Sequence, residues 1–266
     1  MTAQIEDRFY YRDQEFDVVG IQGEEFFNPF DFGICVYGVS TACYRGFVAE
    51  FSVDNENRLI LRGLEANVVN CKTELGRNIY EGTRLVLTLQ RTLNENNDEE
   101  SEETRRLKTE IERLHKAIPT FEDRNEYYRN LLASAPDEAP TLNGVAAVCS
   151  DSAYNHCRMI YEDIAEPIQF TGSLLIGADF DNKFYVHMGF QEPIGYKNLW
   201  ELDFKNGVLE KAVDRSKAAA RARGAQGNCG LGILDRAKGD GMKAVVDAID
   251  DSFDLASDSK WSFLNG

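Results

Sequence analysis

GICVYGVSTACYRGFVAEFSVDNENRLILRGLEANVV, residues 33–69, is the stretch on which the fold turns. From Arg45 onward the side chains alternate, with Phe47, Ala49, Phe51 and Val53 on one side and Val48, Glu50 and Ser52 on the other. Asp54-Asn55-Glu56-Asn57 supplies a turn, after which Leu59 and Leu61 resume the apolar phase. A period of two is that of a strand, because successive side chains point to opposite faces. Two such runs about a polar turn make a hairpin with one buried face. Past Gly63 the apolar set moves by one residue, to Leu64, Ala66 and Val68. One extra residue reverses the face that each side chain meets, so the shift predicts a β-bulge at Arg62-Gly63.

Upstream, RFYYRDQEFDVVGI (8–21) reads as an opening hairpin turning at Asp13-Gln14-Glu15, and GEEFFNPFDFG (23–33) as a loop whose phenylalanines plug one end of the body. Downstream the texture changes. TRLVLTLQRTL (83–93) is ambiguous between strand and helix, and NENNDEESEETRR (94–106) is an acidic run that would be disordered by itself. Leu107, Ile111, Leu114 and Ile118 then recur at helical spacing, Pro119 ends that helix, and 122–135 reads as another. Such a segment packs on its own domain or offers a coiled-coil face.

TLNGVAAVC (141–149) returns to strand-like residues. Beyond it, 168–176 reads as a strand, Asp181-Asn182-Lys183 as a turn, and Phe184, Val186, Met188 and Phe190 as the apolar side of another strand. Trp200, Leu202 and Phe204 alternate into Asn206-Gly207, a strong hairpin signal, with Val208 and Leu209 starting the return. Tyr196 to Leu209 shares its plan with Tyr44 to Leu61, a texture that duplication or chance can produce. In the tail, 210–224 favours helix, 224–232 is a glycine joint, and 241–256 suits a short amphipathic helix.

These readings predict an α+β protein, its β-rich body (1–80 and 140–213) an antiparallel barrel or two-sheet sandwich. A helical, charged insertion occupies 81–139 and a helical tail 214–266.

Twenty-nine Lys and Arg against 45 Asp and Glu give a net charge of −16, which repels phosphate backbones and anionic lipid and favours a basic protein partner. The first residues lack the basic start and apolar run of a secretory signal, and no stretch reaches the roughly 18 apolar residues of a membrane span. Six scattered cysteines with no CxxC pair then read as reduced thiols in the cytoplasm.

Three patterns invite a chemical reading. Cys43, in STACYRG, with Arg45 beside it and His187 in FYVHMGF, has the makings of a thiol and a base; the same residues equally suit core and strand-surface positions. Cys149, His156 and Cys157 lack a fourth ligand at useful spacing, so neither a metal nor a cofactor is expected. GAQGNCGLG lacks the GK[ST] ending and the strand of a phosphate-binding loop, and reads as a linker. Ser40, Thr41, Tyr44 and Arg45 form the polar cluster best suited to bind a ligand or partner, joined by Cys43, Tyr185 and His187 if the two β blocks pack together. A turn that satisfies its own backbone would use the same residue types.

The function expected is a non-catalytic cytoplasmic binding protein of the immunity, inhibitor or defence-complex type, acting on another protein. The alternatives are a lipocalin-like barrel holding a small molecule, and a Cys-His thiol enzyme.

Overall fold

The structure is a computed structural model. It describes residues 3–23, 25–36, 38, 42–68, 101–117, 139–150, 159–187 and 189–226, with Leu85, Val86, Thr88, Leu89, Thr92, Leu93 and the pair Asp254–Leu255. The expected segment 122–135, the glycine joint from 227, and most of 241–256 lie outside the described residues, as do Ser40 and Thr41.

All described strands belong to one mixed sheet. In chain order they are β1 (Arg8–Tyr11), β2 (Gln14–Gly23), β3 (Phe47–Val53), β4 (Leu59–Ala66), β5 (Val148–Cys149), β6 (Met159–Tyr161), β7 (Glu166–Pro167), β8 (Gly172–Phe180), β9 (Tyr196–Lys205), β10 (Val208–Asp214) and β11 (Asp254–Leu255). The spatial order is β10-β9-β8-β2-β1-β3-β4-β6-β5, with β7 added to β4 and β11 to β2. The sheet is not closed into a barrel, which corrects that half of the expected barrel or sandwich. Nor is it wholly antiparallel, because β1 pairs parallel with β3, Phe9 opposite Phe51. Alternation within a strand reports which face is buried and is silent on the direction of its neighbour.

The organising hairpin forms as its sequence demands. β3 pairs with β4 from Phe47–Ala66 to Val53–Leu59, and the register slips between Glu50–Gly63 and Phe51–Leu61, leaving Arg62 as the extra residue. Phe47, Ala49 and Phe51 therefore share the core with Leu59, Leu61, Leu64 and Ala66 across the slip. Asp54 shapes the turn, its Oδ1 accepting hydrogen bonds from the Glu56 and Arg58 amides at 2.9 and 2.8 Å. Asp54→Ala removes both acceptors from an exposed turn, so a loss of about 1 kcal/mol in urea-denaturation stability is expected.

One face of the sheet carries an aromatic core. Phe26 from the 23–33 loop lies 4.5 Å from Phe51 and 5.1 Å from Phe170, ring centre to centre, and Phe204 touches both Phe170 and Phe9. The loop expected to plug one end of the body thus delivers Phe26 and Phe27 to the aromatic core. At one corner the two great hairpins meet: the Leu59 amide donates to Gly207 O at 2.7 Å and the Leu209 amide to Asn57 O at 2.8 Å.

The opposite face carries helix α2 (Ser216–Gln226), whose Ala219 and Ala222 lie against Leu175, Tyr196 and Leu199. Neighbouring residues divide cleanly, Val18 and Leu174 to the aromatic core, Val19 and Leu175 to the helix side. Arg223 donates to the carbonyls of Ile194 and Tyr196 and so pins the helix to the sheet. The expected helix over 210–224 starts later, since Glu210 to Asp214 complete β10.

In the insertion, helix α1 (Glu102–Ala117) begins at Ser101, whose Oγ accepts the Thr104 amide at 3.0 Å. Ile111 is buried with Val86, and Leu89 and Leu93 pack on that pair, so the ambiguous 83–93 stretch is helical where described. The end of the acidic run, Glu102 to Arg106, is the first part of α1.

Three local readings are corrected. The opening turn is Arg12-Asp13, both left-handed, with Gln14 and Glu15 already in β2. Phe184 to Phe190 is not a strand but a short 3-10 turn (Asn182–Phe184) running into a loop. Asp254–Leu255, expected in a helix, pairs with Gly20 and Ile21 of β2.

Candidate functional site

Of the nominated residues, Cys43, Tyr44 and Arg45 of the first β block and Tyr185 of the second are joined by a segment that carries no periodic signal, residues 3–7. Its residues leave β1 extended and bond alternately to either side. On one side, the Ile5 amide donates to Ala42 O at 2.8 Å and the Tyr44 amide to Gln4 Oε1 at 2.9 Å. On the other, the Gln4 amide donates to Gly189 O at 3.0 Å, the Ala3 amide to Tyr185 Oη at 2.7 Å, and the Gln191 amide to Glu6 Oε1 at 2.9 Å.

Arg45 is the centre of this junction and is almost wholly buried. Its guanidinium grips both oxygens of Asp7, at 2.6 and 3.0 Å, and donates to Ile5 O at 3.1 Å. It also lies over the rings of Phe47 and Phe190, at 4.8 and 5.2 Å, which ties the first β block to the second. Asp7 in turn accepts the Ala49 amide at 2.8 Å. Burial pulls the Arg45 pKa down, but the charge and hydrogen bonds of Asp7 outweigh it and hold the value above the ordinary arginine range. The cation nominated for an anionic ligand is thus committed to an internal carboxylate.

Cys43 is buried, packed with Val48 and Ile5, and its thiol donates to Phe47 O at 3.3 Å. His187 is exposed, its ring 6.5 Å from that of Tyr185. The thiol is internal while the imidazole is exposed, in keeping with the core and surface positions weighed against a thiol–base pair for these two residues.

Gln191 fixes that loop. Its side chain accepts from the Val186 amide at 2.9 Å and donates to Val186 O at 3.0 Å, replacing the sheet partners that an alternating strand over 184–190 would have needed. Tyr185, 40% exposed, and His187 are displayed from this braced loop. Tyr44 is half-buried beside the Gln4 contact.

Beneath the junction sit Glu6, Asp17 and Tyr196. The Tyr196 hydroxyl donates to Asp17 Oδ2 at 2.9 Å. Burial, helped by the negative charge of Asp17, pushes the Glu6 carboxyl up to about 7 against the opposing pull of the Gln191 amide and Arg45. Burial raises Asp17 as well, countered by the Tyr196 hydrogen bond, and burial beside both carboxylates lifts the Tyr196 phenol.

Gln4, Glu6, Asp7 and Gln191 went unread in the sequence. Adjacent acids such as Glu6-Asp7 carry no signal in so acidic a chain, and a lone glutamine carries none anywhere. Among the described residues, no group of three or more His, Cys, Asp or Glu is placed to hold a metal ion, and no helix is long and apolar enough to cross a membrane. Compared with protein-family models, with curated proteins and with solved structures, the chain matches none.

Proposed function

We propose that the chain is a non-catalytic cytoplasmic binding protein that engages a basic protein partner, in the manner of an inhibitor or immunity protein, through the loop that presents Tyr185 and His187. The observation that carries this reading is the division of labour at the junction. Cys43 and Arg45 are bound inward, whereas Tyr185 and His187 stand exposed on a loop braced by Gln191. A braced loop loses little conformational freedom on docking, and a tyrosine on it adds contact area at low entropic expense. The net charge of −16 steers a cationic partner toward the complex and makes association salt-sensitive. The aromatic packing of the core favours this reading over a small-molecule barrel, since Phe26, Phe51, Phe170 and Phe204 pack against one another there.

Affinity capture from native lysate at low and high salt tests the proposal. A basic protein held in stoichiometric amount at low salt and released at high salt is expected, with Tyr185→Ala and His187→Ala each weakening it about tenfold. Tyr185→Phe keeps the ring and loses the hydroxyl that accepts from Ala3, so it separates partner contact from loop bracing. Recovery of no stoichiometric partner under either condition, or capture indifferent to both alanine variants, would overturn the reading.

A further inference from the structure

We infer that residues 3–6 form a pH-released strap, hinged at Asp7, which ties the 42–45 turn to the 185–191 loop when Glu6 is protonated and lets go of both when Glu6 ionises. The strap touches the two sides separately: Ala42 and Tyr44 on one, Tyr185, Gly189 and Gln191 on the other. Nothing else in it is charged except Glu6, which is half-buried and whose Oε1 accepts the Gln191 amide at 2.9 Å. The hinge is firm, because Asp7 is fixed by Arg45 and the Ala49 amide, while its own carbonyl accepts the Val18 amide at 2.8 Å.

Among the described residues, the groups that act on Glu6 come from β2, the 42–45 turn, the 185–191 loop and β9. Asp17 of β2 repels its charge and Arg45 of the 42–45 turn attracts it, the latter already paired with Asp7. The Gln191 amide comes from the loop, and the Tyr196 phenol from β9. Burial and Asp17 together outweigh the favourable partners, so the docked carboxyl holds its proton up to about pH 7, against an ordinary value of 4.5.

The sign follows from linkage. A carboxyl with a raised pKa when docked binds its proton more tightly docked than free. Its contribution to docking is complete below the free value, is lost progressively as pH rises between 4.5 and about 7, and stays lost above that. The strap is therefore closed in mild acid and loosened at and above neutrality. Its release also uncovers the Cys43 thiol, since Ile5 packs against it.

Hydrogen exchange on the full-length protein reads this directly. The protection factors of the Gln4 and Ile5 amides should fall about thirtyfold from about pH 5.5 to about pH 8, while those of β8 and β9 change less. Glu6→Gln, neutral at every pH, should flatten the dependence, and Asp17→Asn, which removes a repulsion, should move its midpoint to lower pH. At about pH 8, Cys43 should be alkylated more than tenfold more slowly in Glu6→Gln than in the unaltered protein. A pH dependence that survives in Glu6→Gln would overturn the inference, as would strap protection that does not change with pH, or equal Cys43 labelling in both proteins. These readouts involve no partner, so they stand or fall apart from the binding function.

Discussion

Asp7→Ala is expected to destabilise the protein by about 3–5 kcal/mol, because it leaves the Arg45 guanidinium buried without its counter-ion. The side chains of Arg45 and Asp7 are only 6% and 10% exposed, so water cannot replace the lost carboxylate without opening the junction. The Ala49 amide loses its acceptor in the same step. Arg45→Met should cost less, for two reasons. The methionine fills part of the space against Phe47 and Phe190, and the surviving Asp7 keeps its Ala49 hydrogen bond. The double variant Asp7→Asn with Arg45→Met retains an acceptor for Ala49 and buries no charge, so it should be more stable than Asp7→Ala. Urea midpoints at unchanged slope would establish the order. A loss under about 1 kcal/mol for Asp7→Ala would mean that the pair is not buried in solution.

Gly207→Ala should cost about 2–4 kcal/mol. Gly207 has φ +75°, and a Cβ there would stand 2.3 Å from the Ile168 carbonyl oxygen, a backbone atom that cannot swing aside. The same residue accepts from the Leu59 amide and donates to Phe170 O, so displacing it disturbs the corner where the two hairpins meet. Its neighbour Asn206 has φ +49°, which asparagine and glycine both tolerate, and Asn206→Gly should change stability by no more than about 0.5 kcal/mol. Thermal melting of the two variants side by side would distinguish a constraint at Gly207 from general fragility of the turn; equal melting temperatures would dismiss the constraint.

What could be read from the sequence was what depends on neighbours close along the chain. The β3–β4 hairpin was legible down to its bulge, because the apolar phase flips at Gly63 and nothing but an inserted residue restores a common face. Asn206-Gly207 announced its hairpin for the same local reason. The 184–190 stretch misled because its alternation is real, yet Gln191 offers the backbone partners that no neighbouring strand supplies. At the junction, Cys43, Tyr44, Arg45 and Tyr185 have a common neighbour in residues 3–7. Their roles were hidden in Gln4, Glu6 and Asp7, whose partners lie far away in sequence and follow no period.

The parallel pairing of β1 with β3 and the antiparallel pairing of β2 with β8 also bear on how the molecule is made. Asp17 meets Gly177, and Phe9 meets Phe51, so the amino-terminal hairpin lies mid-sheet between strands translated after it. During synthesis it emerges before both of these partners and must wait, one flank open, until the ribosome has delivered β8. A growing chain stalled before that point would carry an unsatisfied β2 edge with Phe16, Val18, Val19 and Ile21 on it, which makes the interval before β8 appears one in which self-association is favoured.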